Sequence, residues 1–375
     1  MRAFVFTDRA LDRQAGRFVW LSINTEKEKN EGFLEKYPIE AYPTLLVIDP
    51  TRERAVLRWI GGANVRQIEK LLDDAEKTLR GGKGTDAALA RADRLLGAGK
   101  MTEAAAAYRD LLAGAPALWS PRERVLESLL AALESSGAFK ECDDTARAGM
   151  PKERTPHFAA VASAGLGCAL ELKGQERAAA IAEFETAVRS AIGEPRIEMA
   201  ADDRSGLYGS LAEARKELDD EAGAKAVAGE WLAFLEDEAA RATSAQARAV
   251  FDPLRVSAAL ALGQPARVIT ALEQSQKDFP HDYNPPARLA YVLREAGRYD
   301  EALAAANRAL KLVYGPRKLR VYSTKADILE KKGDTMSARA TVEEAIAYAK
   351  GLPRAQRPPH SVEGLEKRLA AMGPR

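Results

Sequence analysis

Six glycines, Gly99, Gly137, Gly174, Gly263, Gly297 and Gly333, punctuate the chain at nearly regular distances, and the residues around them keep one register. Gly99 is followed at +5 by Ala104, at +9 by Tyr108, at +12 by Leu111 and at +17 by Pro116, with Ala92 at −7. Gly297 gives Ala302, Ala306 and Ala309 at the first three offsets, with Ala290 at −7; Gly333 gives Ala338, Val342, Ala345 and Ala326. Gly263 gives Val268, Leu272, Ser275, Pro280 and Val256. Gly137 fits with Cys142 and Ala146, and Gly174 fits once one extra turn residue is allowed, giving Ala180, Phe184 and Ala187. Residues three and four apart share a helix face, so small groups at fixed distances from a turn are what two antiparallel helices need in order to touch. The pattern predicts helix pairs joined by glycine turns. Adjacent glycines lie 38, 37, 34 and 36 residues apart, and the 89 residues between Gly174 and Gly263 hold two longer units, in one of which Leu218-Asp219-Asp220 replaces the glycine.

Composition narrows what such a chain can do. Its 375 residues are 46% hydrophobic and 30% charged, inside the range of folded globular proteins. A net charge of +1 gives no overall field toward nucleic acid, so no nucleic-acid partner is expected. No run approaches the ~18 apolar residues of a membrane span. Cys142, Cys168, His157, His281 and His360 are too scattered for a zinc site or a disulfide framework. The two cysteines sit on helical patterns and read as buried small apolar residues. Neither a metal nor a cofactor is expected. The opening MRAFVFTDRALDRQ has no apolar signal core, which makes the cytosol the default compartment, with export open if a signal lies upstream of Met1.

Residues 1–80 read differently. The spacing predicts a helix from Met1 to about Ala15, a strand buried on both faces over Phe18–Ile23, and a helix capped by Thr25. Two further strands come next, in AYPTLLVIDP and ERAVLRWIGG, and Asn64 caps a helix whose apolar face is Val65, Ile68, Leu71, Leu72, Ala75 and Leu79. Gly81-Gly82-Lys83-Gly84 is a hinge over residues 81–84, and strand signals end there.

Both halves carry a resemblance. The phrase GRYDEALAAANRAL at 297–310 is the best instance of a pattern that resembles the tetratricopeptide repeat, nominally 34 residues long, across residues 85–350 in about seven units. Residues 351–375 then read as a Pro-rich break, Pro353 to Pro359, and a capping helix, SVEGLEKRLAAM. At the other end, Tyr37-Pro38-Ile39 through Tyr42-Pro43-Thr44 and Leu45-Leu46-Val47-Ile48 look like the back half of a thioredoxin domain. The expected fold class is a partial α/β thioredoxin-like domain followed by an all-α tetratricopeptide-type solenoid.

The thioredoxin resemblance implies a cis Pro43 and a backbone at Tyr42, Pro43 and Thr44 that pairs with a substrate peptide. Redox work in that family also needs a C-x-x-C at a helix start, where the helix dipole lowers a thiol pKa. This chain has none, and the strand the family places before that helix is missing too. Either the coding region starts upstream of Met1, or the lineage has lost the site. The repeat resemblance implies a groove lined by the first helix of each pair that holds a protein or peptide partner. The groove positions are Asn284, Tyr291, Arg294, Arg320, Ser323 and Asp327, with Asp93 and Ser257 in earlier units. No catalytic residue is expected: the glycine pairs lack P-loop spacing, and Asp143-Asp144, Asp202-Asp203 and Asp219-Asp220 read as turn and cap residues. Trp20, Trp59, Trp119 and Trp231 read as core. The function expected is an interaction scaffold, with a thiol–disulfide oxidoreductase as the alternative if a C-x-x-C lies upstream.

Overall fold

A computed structural model describes the chain apart from residues 1–4, 40–41, 81–82, 359 and 374–375. The start of the helix expected from Met1, the glycines of the hinge at 81–82 and the last proline of the Pro-rich break lie outside the described residues. The first regular elements are a 3-10 turn at Arg9–Gln14 and a short helix α1, Glu31–Lys36. Strands β1 (Thr44–Asp49) and β2 (Arg54–Ile60) pair antiparallel, Thr44 opposite Ile60 and Asp49 opposite Arg54. The Tyr42–Pro43 peptide that leads into β1 is cis. Helix α2, Val65–Leu79, opens on a reciprocal capping box: Asn64 Oδ1 accepts the Gln67 N–H and Gln67 Oε1 accepts the Asn64 N–H, each at 2.9 Å. Val56, Leu57 and Trp59 of β2 are buried against Ile68, Leu71, Leu72 and Ala75 of α2, with Val5 and Leu11 beside them.

Beyond residue 84 the chain is helical. Helix α3 (Thr85–Gly97) packs on α4 (Met101–Gly114), α5 (Arg122–Ser135) on α6 (Phe139–Gly149), and α7 (Pro156–Leu170) on α8 (Glu176–Ile192). Then come α9 (Ala201–Glu217), α10 (Glu221–Arg241), α11 (Ala245–Ala249), α12 (Asp252–Ala261) and α13 (Ile269–Asp278). The next two pairs are regular, α14 (Asn284–Glu295) on α15 (Tyr299–Leu312) and α16 (Arg317–Lys332) on α17 (Thr335–Gly351). Helix α18 (Ser361–Ala371) packs on α17 through Leu365 and Leu369, against Val342 and Ile346. No described helix is long and apolar enough to cross a membrane.

The glycine register is the packing register. Ala92, Ala104, Tyr108, Ala290, Ala302, Ala306, Ala309, Ala326 and Ala338 are all buried. The six turn glycines have φ from 72° at Gly99 to 84° at Gly333, a left-handed conformation that ends a helix without a Cβ clash. Where the glycine is replaced, Asp219 takes that conformation at φ 58°.

The chain divides into two compact units. Unit one comprises Met1–Phe18 and Glu40–Trp231; unit two comprises Val19–Ile39 and Leu232–Arg375. In unit one, Arg124 of α5 reaches Asp74 of α2 at 3.2 Å and both carboxylate oxygens of Asp93 of α3 at 3.1 Å, while Tyr108 Oη donates to Asp93 at 2.7 Å. Arg58 of β2 donates through Nη1 to the Gly97 carbonyl of α3 at 2.8 Å. These bonds fasten the β1–β2–α2 segment to the first repeat helices.

Three expectations are corrected. The run Phe18–Ile23 forms no strand: Val19 and Leu21 are 87% and 75% exposed and Trp20, expected in the core, is 46% exposed. A strand needs a partner for its amides, and among the described residues β1 and β2 pair only with each other. The helix expected from Thr25 is reduced to a 3-10 turn, Glu28–Asn30, and α1. Asn24 instead accepts the Glu26 N–H at 2.9 Å, and the Glu26 carboxylate takes Tyr283 Oη at 3.0 Å and Arg317 Nε at 2.7 Å within unit two. Finally, Cys142 and Cys168 are buried as expected but joined in a disulfide, their Cα atoms 6.0 Å apart. Cys142 occupies the +5 position of α6, the one that faces the neighbouring helix, and there it meets α7.

Candidate functional site

Two surfaces carry polar side chains on first helices of the pairs. In unit two, Arg294 of α14 lies over the Tyr291 ring, its guanidinium carbon 4.5 Å from the centroid, and ion-pairs with Asp327 of α16. Arg368 of α18 donates to the other Asp327 oxygen at 2.7 Å and reaches Glu330 at 3.1 Å. Tyr291, Arg294 and Asp327 are therefore brought together, with Arg368 as a fourth member. Asn284 begins α14, where its backbone N–H and Nδ2 both donate to Asp282 Oδ1 at 2.8 Å. Arg320 is exposed and Ser323 half-buried on α16; among the described residues neither hydrogen-bonds to the Arg294–Asp327 cluster.

The two earlier groove positions divide. Ser257 is exposed and donates to its own helix at the Pro253 carbonyl, 3.1 Å. Asp93 is no groove residue. It is buried in the Arg124–Tyr108 network, because a first-helix position in the opening pair is covered by α2 rather than left open.

In unit one, the first helices α5, α7 and α9 line a cavity of about 590 Å³, closed on one side by the end of β2 and its Gly61-Gly62 turn. Its lining includes small residues, among them Ala131, Ala160, Ala164 and Gly206. Its walls carry carboxylates. Glu127 Oε1 lies 2.6 Å from Nδ1 of the buried His157, which fixes the glutamate in place. Glu134 lies across from Gly167, where an added Cβ would stand 3.1 Å from Glu134 Oε1. Asp203 lies against Gly62, where an added Cβ would overlap Asp203 Oδ1, so the glycine is what lets this carboxylate approach the turn. Burial and the neighbouring Asp202 charge push the Asp203 carboxyl up to about 6. Burial, then Glu171, raises that of Glu134.

Sequence reasoning did not find this cavity. Asp202 and Asp203 do sit in the first turn of α9, as capping acids would. Asp220 is a true cap, accepting the Gly223 N–H at 2.8 Å, whereas Asp143 is buried on α6 against Arg147. The signal for the cavity lay in alternation along first helices: Glu127 and Glu134 stand seven apart, on one face, with alanine between them. At the other end of the chain, Tyr42, Pro43 and Thr44 lead into β1. Tyr42 is exposed, the Pro43 carbonyl accepts the Gly61 N–H at 2.9 Å, and Thr44 is paired with Ile60. Among the described residues, no group of three or more histidine, cysteine or acidic side chains could hold a metal ion.

Residues 283–351, the α14–α17 pairs, match the tetratricopeptide repeat family model. No curated protein matches the chain. Among solved structures, the chain is similar to a tetratricopeptide repeat protein from Parabacteroides merdae, at 11% identity over 78% of this chain and 99% of that one, with a TM-score of 0.47. It is also similar to the TPR2AB domain of yeast Sti1 in its complex with pHSP90, at 14% identity over 77% and 98%, with a TM-score of 0.30. A third similar structure, the assembly chaperone of RpL4, shares 15% identity over 77% and 98%, with a TM-score of 0.33. The chain thus carries tetratricopeptide repeats at its α14–α17 pairs.

Proposed function

We propose that the chain is a protein-interaction scaffold whose helix pairs hold a peptide or protein partner along the first helices, without a catalytic step of its own. The observation that carries this reading is the pairing at α14–α17, where alanines occupy the contact between helices and leave the polar face of each first helix uncommitted to the core. Tyr291, Arg294, Asp327 and Ser323 are the contacts proposed in unit two. A photo-crosslinking residue at Ser323 is expected to capture a partner from extracts of the source cells, while the same residue at the exposed Lys311 of α15 does not. Equal capture at both positions overturns the assignment of the groove.

A second reading is favoured by the order β1–β2–α2 following Tyr42-Pro43-Thr44. On this reading the segment is the back half of a thioredoxin-like domain, and Tyr42 to Thr44 pair with a substrate backbone. The only two cysteines, Cys142 and Cys168, are buried and joined, so the chain is expected to give no turnover in an insulin-reduction assay. Thiol–disulfide chemistry then requires a C-x-x-C encoded ahead of Met1. Genomic sequence without one removes the oxidoreductase version.

A further inference from the structure

We propose that the cavity lined by α5, α7 and α9 is a docking groove for an extended peptide segment bearing lysine or arginine side chains. This rests on the scaffold reading and adds to it a second location and the charge of the partner. The volume of about 590 Å³ suits a few side chains and a stretch of backbone, within the range of small-ligand sites. Alanine and glycine in the lining leave little side chain on the first helices there, so a peptide main chain can approach their backbones closely.

Charge selects the occupant. Among the described residues, the lining holds Glu127, Glu134, Glu198, Asp202 and Asp203 against Arg58. That arginine is already committed to the Gly97 carbonyl of α3. Glu198 is offset by an exposed pair with Arg66 outside the lining and Glu127 is held by His157, which leaves Glu134 and the adjacent Asp202 and Asp203 as the groups setting the sign of the groove. An anionic segment would bring like charges together in a partly dehydrated space, and a neutral one would leave these carboxylates uncompensated. A cationic side chain lowers the cost of ionising Asp203 and Glu134, both of which burial raises from their ordinary values. With a whole-chain charge of only +1, this preference is local and is not a general attraction.

The test uses the full chain and a fluorescein-labelled peptide of alternating lysine and alanine, with glutamate in place of lysine as the comparison probe. The lysine peptide is expected to bind and to weaken as salt rises, and the glutamate peptide is not expected to bind. Replacing Glu134→Gln and Asp203→Asn together keeps side-chain shape and should weaken the lysine peptide about tenfold. Asp237→Asn with Glu273→Gln, both in unit two, should leave it unchanged. Gly206→Leu provides an independent variant, because Gly206 lines the cavity and a Cβ there meets nothing within 4 Å. It should abolish binding at an unchanged melting temperature. The proposal is overturned if the lysine peptide does not bind, if the glutamate peptide binds as well, or if neither the double amide variant nor Gly206→Leu reduces affinity. Loss of this binding with the Ser323 crosslink retained sinks the groove alone; loss of both sinks the scaffold reading.

Discussion

The stretch from Asn284 to Gly351 and the stretch from Val5 to Ile39 are both rich in apolar residues, yet one folds as its periodicity predicts and the other does not. In the first, each helix finds its partner a few residues beyond a glycine turn, and the contact is closed by Ala290, Ala302, Ala306 and Ala309, all buried. Nothing distant is required. In the second, Phe18–Ile23 has the length and composition of a buried strand, but its structure depends on a neighbouring strand to accept its amides. Without one it stays irregular, with residues 19–22 exposed. The lesson concerns range: patterns satisfied by local partners are executed, and patterns needing a distant partner are executed only where that partner exists.

Strand β2 sharpens the point, because it is an apolar run like Phe18–Ile23 that did find partners. It pairs with β1, buries Leu57 at 2% exposure, and is fastened along with α2 to α3 and α5. The largest effect expected from breaking that attachment comes from Arg124→Ala. The guanidinium lies between Asp93 and Asp74, and its removal leaves buried carboxylates without their cation, costing roughly 3–5 kcal/mol. Chemical denaturation should show the midpoint fall. An unchanged midpoint would mean the β1–β2–α2 segment does not depend on distant partners, and the comparison with Phe18–Ile23 would lose its basis.

A smaller effect tests the repeat side. Ala302 lies fully buried between α14 and α15, so Ala302→Trp overfills the contact and should cost about 1–3 kcal/mol. The same change at the exposed Ala304, on the same helix, should cost under about 0.5 kcal/mol. Thermal melts of the two variants that coincide would show that the glycine register does not set the packing.

The same distinction decides how much of the molecule was legible in its sequence. The helix pairs, their turns and their small-residue contacts could be read from offsets to Gly99, Gly137, Gly263, Gly297 and Gly333, because each offset describes neighbours close in sequence. Asn64 as a cap of α2 was equally local. The Cys142–Cys168 disulfide was not legible, since composition alone treats two distant cysteines as separate. Yet Cys142 stands in the contact register, a position that must face another helix. The cluster of Arg294 and Asp327 joined residues one repeat apart, which the register placed on one face, whereas Arg368 entered from α18, beyond the regular spacing. The acidic cavity was hidden because Glu127, Glu134 and Asp203 lie on two separate segments of the chain, the first two on α5 and the third on α9, with His157 of α7 holding Glu127. Their convergence is a property of stacking and not of any one segment.

The smallest effect is also the most direct attempt to break the comparison. If Val19 and Leu21 contribute nothing to a core, replacing both by serine removes exposed methyl groups that water already reaches. The change in stability should then stay within about 0.5 kcal/mol, and proteolysis within residues 18–24 should be no faster than in the parent. Leu57→Ser provides the contrast, because it removes a side chain packed between β2 and α2 and leaves a buried hydroxyl, at a cost of roughly 2–5 kcal/mol. A double variant at Val19 and Leu21 that destabilises the chain as much as Leu57→Ser would show that the run is buried after all. It would then possess the strand partner that sequence demanded, and range would no longer explain why the two stretches differ.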